Sequence, residues 1–222
     1  MQRLTLATLG FLVGCAPVHA VRPIGKGAAS IDASLGGPLT QVFGAPIPVP
    51  LTTLGATYGA TATTDVHVAF HPTAAAMFGV GAGEIGVSQQ LLAPQGARPR
   101  LMVDLTLIGA GGDRQADALP DGAFRLFIQP TATVGWDWGK QKKQTFYTGV
   151  LGFFEPSDEF YALGGWVLGN RFGVGRSHVD VELKWIDPWA NTVNIVPDFV
   201  APGNQGAVEV QFGYGFTFGG GQ

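Results

Sequence analysis

Apolar and polar residues alternate along several stretches of the chain, most regularly in residues 99–109, 123–138, 178–187 and 207–218. Successive side chains of a β-strand point to opposite faces of the sheet, so an alternation with a period of two predicts strands with one apolar face. In the last stretch one face carries Val208, Val210, Phe212, Tyr214, Phe216 and Phe218. The other face carries Glu209, Gln211, Gly213, Gly215 and Thr217.

Turn-forming residues divide the chain into about ten stretches of this kind. The predicted strands are residues 28–35, 51–60, 66–73, 77–91, 99–109, 123–138, 145–155, 160–172, 178–187 and 207–218. No stretch has the pattern of an amphipathic helix, because glycine and β-forming residues are too dense. The spacing is typical of an antiparallel meander and not of alternating strands and helices.

The connections between these strands differ in length. The second, fourth, sixth and eighth are the short segments TATTD, LAPQGAR, GKQKKQ and GVGRS. Among the others, residues 36–50, 110–122 and 188–205 are long, while PTAAA and PSDE are tight. Short turns on the periplasmic side and longer loops outside are typical of outer-membrane barrels, and an even strand number places both chain ends in the periplasm. We expect envelope or surface partners to bind the three long loops.

Composition favours a membrane-spanning barrel. Only 13% of the residues are charged, against roughly 25% in ordinary soluble domains. No apolar run reaches the roughly 20 residues that a spanning helix needs. A β-barrel accommodates both facts, because its apolar residues stand at every second position. With 13 basic and 16 acidic residues, the chain has no basic field that would attract nucleic acid.

The amino end has the features of an export signal in residues 1–20. Arg3 precedes an apolar stretch, residues 4–14, that is too short to span a membrane. The stretch runs into a sequence that resembles the bacterial lipobox, Leu12-Val13-Gly14-Cys15. The resemblance implies that Cys15 becomes the lipidated first residue of the mature protein.

An alternative processing site stays open. Ordinary signal cleavage after Ala20 would make Val21 the first residue. In either case we expect the barrel to occupy residues 21–222. Cys15 is the only cysteine, so no internal disulfide is possible.

The polar faces of the predicted strands have the composition of an enclosed lumen. They mix glycine, threonine and glutamine with acids and bases in similar number, which suits paired charges in limited space better than a water-facing surface. The charged residues expected to form this polar network are Arg100, Asp104, Arg125, Asp137, Asp180, Glu182, Lys184 and Glu209. The side chains of an eight- to ten-stranded barrel nearly fill its interior, so we interpret the network as structural and not as a pore.

Aromatic residues near the predicted strand ends are typical of the girdles at the two membrane interfaces. They are Trp136, Trp138, Trp185, Phe216 and Phe218. As a whole the chain resembles small bacterial outer-membrane β-barrel proteins, and its Phe-Thr-Phe ending resembles their aromatic carboxy-terminal signature, although four residues follow it here. The resemblance implies an all-β fold: a single antiparallel up-and-down transmembrane β-barrel of about ten strands, in contact with lipid in the bacterial outer membrane.

Candidate catalytic chemistry is sparse. His67 and His71 stand four residues apart on one predicted strand, about 13 Å, which is too far to share a metal without a bend. His178 and its neighbour Ser177 lie elsewhere, and no nucleophile-elbow motif or zinc spacing is present. We therefore predict no metal, no cofactor and no catalysis, and a role in structure or binding or one auxiliary to transport or envelope assembly.

Two other functions are consistent with the sequence. The first is a soluble periplasmic lipoprotein with a lipocalin-like barrel, in which the aromatic faces would enclose an apolar ligand. The second is an outer-membrane barrel enzyme that acts on lipid or peptide, with His67 or His178 as the catalytic base.

Overall fold

Ten strands close into a barrel in the computed structural model, which describes residues 17–112, 124–139, 141, 143–156, 161–193 and 198–219. The strands are β1 (Ala29–Val42), β2 (Ala45–Pro48), β3 (Leu51–Gly59), β4 (Thr64–Phe70), β5 (Val80–Leu92), β6 (Arg100–Gly112), β7 (Arg125–Trp138), β8 (Gln144–Glu155), β9 (Tyr161–Val174), β10 (Ser177–Asn191) and β11 (Gln205–Phe218). The other described elements are helix α1 (Pro72–Phe78) and a 3₁₀ turn (Pro202–Asn204). In the described residues no helix is both long enough and apolar enough to cross a membrane.

The strand order follows the chain. Each barrel strand pairs antiparallel with its sequence neighbours, and β11 pairs with β1 to close the sheet. β2 stands apart from the barrel, because it pairs only with residues 39–42 at the end of β1. Closure gives each of the ten barrel strands two partners and removes the free edges of the sheet. The prediction of a single antiparallel up-and-down barrel of about ten strands is therefore confirmed.

Several strands continue further than the sequence predicts. β1 runs to Val42, β6 to Gly112 and β10 to Asn191. The predicted long loop 36–50 is therefore mostly the hairpin of β1 and β2, and the predicted loops 110–122 and 188–205 begin inside strands. Most of 110–122, and residues 194–197, lie outside the described residues.

Glycine permits the extension of β1. A Cβ atom on Gly36 would overlap the carbonyl oxygen of Val210 on β11, so the close approach of the two strands needs a residue without a side chain. In the sequence, Gly36, Gly37 and Pro38 look like a strand terminator. In the barrel they form part of the ladder with β11.

The expectation of no helix was wrong at one connection. β4 ends at Phe70, and Pro72 has no N–H with which to continue the ladder. Helix α1 begins at this proline and ends at Gly79, which has a φ of 64° and donates its N–H to the carbonyl oxygen of Ala75. α1 packs on β3 and β5 beyond the end of the short β4, so it fills the gap that β4 leaves in the wall.

The barrel has two unlike ends. The turn end contains the start of β1 and the finish of β11, together with the connections 60–63, 93–99, 139–143 and 175–176. The loop end contains α1 and the β1–β2 hairpin, and it is where β6, β8 and β10 join the strands that follow them. The backbone of residues 39–41 bonds to Asp198 and Val200, which ties the hairpin to the segment before β11 at the loop end.

Outward-facing side chains are apolar and exposed around the whole wall. Examples from six different strands are Leu54, Ile85, Leu107, Trp166, Leu183 and Phe212, each between 40% and 59% exposed. In β6, β7, β10 and β11, the outward-facing residues are those that the sequence pattern assigns to the apolar face. Because large apolar side chains are exposed on strands all around the wall, the exterior forms a continuous apolar belt.

The interior has two layers. The loop-end half contains a packed apolar layer, with the rings of Phe127 and Phe153 5.0 Å apart, and beside it the Arg125–Glu155 ion pair. Other buried members of this layer are Val80, Ala82, Ile108, Ala110, Leu151, Leu163, Ile186, Phe199 and Ala207. The half nearer the turn end is polar and charged. The lumen is thus polar over only part of its length, and an apolar layer fills its cross-section toward the loop end.

Candidate functional site: the barrel lumen

The polar half of the lumen holds a piece of the chain itself. Residues 17–24, here called the lumen segment, precede β1 and run inside the barrel, where Val18, Ala20 and Val21 are at most 4% exposed. The segment makes backbone contacts to β4, β7 and β10, and on β7 the Thr133 hydroxyl donates to the carbonyl oxygen of Ala20. The N–H of Val18 donates to both carboxylate oxygens of Glu182 (3.0 and 3.2 Å), and the N–H of Ile24 donates to Asp65 (3.0 Å).

The lumen segment also connects to a histidine cluster. His19 Nε2 lies 3.2 Å from Glu84 Oε1, and its ring stacks on that of His67 with centroids 3.7 Å apart. His71 Nε2 lies 3.6 Å from the other oxygen of Glu84. His67 and His71 therefore approach one shared cluster, but no group of three or more metal-ligating side chains occurs in the described part of the chain.

A glycine opposite His67 makes this cluster possible. A Cβ atom on Gly86 of β5 would overlap the His67 imidazole and would come within 2.8 Å of Thr106 Oγ1. The glycine residues of β5 make its alternation of apolar and polar residues hard to recognise in the sequence. In the structure, the absence of a side chain at Gly86 provides the space that the imidazole occupies. Glu84 lies on the same inward face two residues earlier, and the sequence analysis did not identify it.

Hydrogen-bond directions determine what His67 can do. Thr106 Oγ1 donates to Asp104 Oδ1 at 2.7 Å, so toward His67 Nε2, 3.1 Å away, it acts as an acceptor. Nε2 therefore carries the proton. A base that activates a hydroxyl needs the opposite arrangement, an unprotonated nitrogen that accepts the hydroxyl proton. The His19 ring also covers His67 and keeps a substrate away from it.

The polar-network residues predicted from the sequence all face the lumen, and most of them form ion pairs there. Arg100 binds Asp137 through two hydrogen bonds of 3.0 and 2.7 Å. The other pairs are Arg125 with Glu155 (3.4 Å) and Lys184 with Glu182 (3.7 Å). Of the remaining predicted residues, Asp180 binds Arg171, Asp104 accepts bonds from Ser88 and Thr106, and Glu209 is fully buried.

The sequence analysis missed Glu155, the partner of Arg125, and two further members of this network, Arg171 and Tyr147. Arg171 makes two 2.8 Å hydrogen bonds to Asp180, and the hydroxyl of Tyr147 donates to Glu182 at 2.6 Å. Tyr147 stands on an inward position of β8 and Arg171 on one of β9. The glycine residues in these strands make the alternation of apolar and polar residues hard to recognise. A Cβ atom on Gly169 would overlap the Tyr147 ring, so the same small residues that hide the pattern accommodate the large inward side chain.

The predicted interface aromatics lie on the outer wall. Trp136 and Trp138, near the turn end of β7, are 39% and 48% exposed, and Phe218 is 45% exposed. Phe216 is half-buried and packs edge-on against Phe218 with ring centroids 4.8 Å apart. Trp185, nearer the loop end, is also half-buried and donates its indole N–H to the carbonyl oxygen of Gln205.

Cys15 and the rest of the lipobox lie outside the described residues, so lipidation stays a prediction. The described chain begins with Pro17, and residues 17–20 of the predicted signal lie in the lumen. These residues supply Val18 and His19, which contact Glu182 and Glu84.

No protein-family model and no curated protein matches this sequence. Solved structures similar to the chain include the translocator domain of the autotransporter NalP from Neisseria meningitidis, with 10% identity, a TM-score of 0.45, and coverage of 98% of this chain and 94% of that one. OprG, an outer membrane protein from Pseudomonas aeruginosa, has 11% identity, a TM-score of 0.34, and coverage of 89% and 99%. Ail, the attachment invasion locus protein of Yersinia pestis, has 9% identity, a TM-score of 0.28, and coverage of 87% and 99%.

Proposed function

We propose that the chain is a non-enzymatic bacterial outer-membrane β-barrel whose ten barrel strands cross the bilayer around a filled lumen. One observation carries this proposal: every charged side chain of the ten barrel strands faces the lumen except that of Asp187, near the loop end of β10. The outward positions between the two ends hold only apolar and uncharged residues.

The energetics of solvation explain why this distribution favours lipid. A soluble barrel has no reason to keep charges off its outer wall, and it aggregates if it exposes an apolar surface much larger than a few hundred Å². In a bilayer the preference is reversed, because a Lys or Arg on the lipid face costs about 2–4 kcal/mol at the midplane. The exposed outer aromatics also count against the lipocalin-like alternative, which needs them inside around an apolar ligand.

Strand lengths are consistent with a spanning role. Most barrel strands contain 12–15 residues, more than the 9–11 residues with which a tilted strand crosses a bilayer. Short turns face the periplasm in outer-membrane barrels, so the turn end is assigned to that side and the loop end to the exterior. Both ends of the barrel sheet then lie in the periplasm, next to the predicted export signal.

The filled interior supports a structural or binding role and not conduction or catalysis. The lumen segment occupies the polar half, and the apolar layer fills the half below the loops. The His19 ring covers His67 in the described structure, which supports the non-enzymatic assignment. Partner binding through the loop end remains part of the proposal, with residues 36–50, 110–122 and 188–205 as the candidate surfaces.

The lumenal position of Val18 limits where a lipidated Cys15 could lie. Val18 is bonded to Glu182 inside the barrel, and three residues span at most about 11 Å. Glu182 stands five residues from the turn end of β10, about 17 Å along the strand. At a strand tilt near 40° this is about 13 Å along the barrel axis, so a lipidated Cys15 requires residues 15–17 to run directly from Val18 toward the turn-end mouth.

Fluorescence quenching tests the proposal directly. In a Cys15→Ser background, Leu35→Cys places a thiol on the outer wall of β1, and Arg98→Cys places one in the 93–99 turn. With a bimane label on each thiol and the protein in vesicles, brominated phosphatidylcholine should quench the label at position 35 and leave that at position 98 bright. Equal quenching at the two positions, or none at position 35, would contradict a lipid-facing wall.

A further inference from the structure

A pocket of about 440 Å³ opens at the turn end of the barrel. Its walls come from the lumen segment, the start of β8, the end of β9 and the start of β10, with Thr217 of β11 on one side. This volume lies in the range of small-molecule sites, about 300–1,000 Å³. All its lining residues follow Ala20 in the chain, so either predicted cleavage of the signal leaves the pocket complete.

The pocket is strongly cationic. Arg22, Lys143, Arg171 and Arg176 line it, together with His178, and no Asp or Glu is among its lining residues in the described part of the chain. Such a concentration of one sign of charge in a concave site attracts ligands of the opposite charge.

The pairing of these cations differs from that in the rest of the lumen. Arg100, Arg125 and Lys184, which do not line the pocket, each have a carboxylate partner. At the pocket, Asp180 fixes the Arg171 guanidinium through two hydrogen bonds. His178 Nε2 lies 3.4 Å from Asp32 and 3.6 Å from Asp180. Within the described residues, neither Lys143 nor Arg176 makes an ion pair. Two cations at the mouth are thus available to a ligand.

The residue types indicate the chemistry of that ligand. Guanidinium groups present a planar fork of donors that matches phosphate oxygens, and a lysine ammonium acts as a point charge toward the same group. Gln141 and Thr217 add uncharged donors to the wall. A carboxylate offers only two oxygens and one negative charge, whereas a phosphate group offers three or four oxygens and up to two charges.

We propose that this pocket binds a phosphate-bearing anion at the turn end of the barrel. Two sources share this chemistry: a soluble organic phosphate and the headgroup of an anionic phospholipid. The site does not depend on the bilayer assignment, because its charges and volume belong to the folded barrel itself.

Calorimetry on the full chain, folded in a zwitterionic detergent, tests the proposal with glycerol 1-phosphate and dihexanoyl phosphatidylglycerol as probes. The double variant Lys143→Gln/Arg176→Gln removes the two cations without an ion pair. Arg98→Gln removes a cation from another turn at the same end, where its guanidinium donates to the carbonyl oxygen of Ala93. The heat-modifiable gel band reports whether each variant is folded.

We expect the wild-type protein to bind at least one probe and the double variant to bind it at least about tenfold more weakly, since a charge-assisted hydrogen bond contributes roughly 1.5–3 kcal/mol. Arg98→Gln should leave the affinity within about twofold of wild type. Tighter binding of the phosphatidylglycerol identifies a lipid headgroup, and equal or tighter binding of glycerol phosphate identifies a soluble ligand. Absence of binding to both probes, or an equal loss in the double variant and in Arg98→Gln, would overturn the proposal.

Discussion

An arginine on the outer wall should have an effect that depends on depth. Leu105 stands near mid-height on β6 and Leu126 near the loop end of β7, with similar exposed fractions of 47% and 41%. In the β6–β7 register Leu105 faces Pro130 and Leu126 faces Gly109, so the two lie four residue pairs apart. That is about 14 Å along the strands, or about 10 Å along the membrane normal at a tilt near 40°.

The expected cost follows from this depth difference. Leu105→Arg should lower the free energy of unfolding by about 2–4 kcal/mol, because it places a charge near the bilayer midplane. That is a roughly 30- to 700-fold change in the folding equilibrium. Leu126→Arg should cost only about 0–1 kcal/mol, since near the interface the guanidinium reaches water and headgroups.

Guanidinium titration of the protein in phosphatidylcholine vesicles measures both values, with tryptophan fluorescence and the folded gel band as independent readouts. In water, arginine at either exposed position would change the free energy by no more than about 0.5 kcal/mol. Two small and equal effects would therefore refute the assignment of the belt to lipid. A larger cost at Leu126 than at Leu105 would refute the assumed position of the midplane.

Three further outcomes are expected. Arg171→Met should cost about 3–5 kcal/mol in the same titration, because it removes both guanidinium hydrogen bonds from the buried Asp180 carboxylate. The additional substitution Asp180→Leu should restore much of that loss. Gly86→Val should lower the midpoint denaturant concentration by the equivalent of about 1–3 kcal/mol, since its side chain would overlap a buried imidazole. The intact mass of the membrane-extracted protein should correspond either to a lipidated chain that starts at Cys15 or to an unmodified chain that starts at Val21.

Matched variants distinguish these specific effects from nonspecific destabilisation of the barrel. Gly83→Ala adds a methyl group on the outward face of β5, in ordinary contact with Ala69, and should stay within about 0.5 kcal/mol of wild type. A Gly86→Val protein as stable as Gly83→Ala would contradict the tight packing around His67. An intact mass that retains residues before Cys15 would contradict both predicted processing sites.

The strand pattern could be predicted from the sequence wherever large apolar residues alternate with polar ones. In β6, Leu101, Val103, Leu105 and Leu107 stand on one parity, and period-two alternation alone assigns them to one face. β5 was harder to interpret, because its outward face holds Gly81 and Gly83 and its inward face holds Ala82 and Gly86. Where the residues on both faces of a strand are small, alternation does not show which face points inward.

Other features depend on contacts between distant parts of the chain. α1 occupies the connection PTAAA because β4 is short and the neighbouring strands leave a gap, which a local pattern does not encode. The lumen segment looks like the end of an export signal, and only the closed barrel brings its backbone to Glu182 and Asp65. The apolar layer was missed because Ile108 and Phe127 were assigned to polar faces by parity, and parity says nothing about height along the barrel axis.

The measurement that most directly tests the central claim is extraction of the exported Cys15→Ser protein. Without Cys15 no lipid anchor can hold it, so only the barrel wall can keep it in the membrane. We expect the protein to remain in the membrane fraction after an alkaline carbonate wash and to migrate differently in boiled and unboiled gel samples. Release into the soluble fraction, without heat-modifiable migration, would contradict a lipid-facing apolar belt.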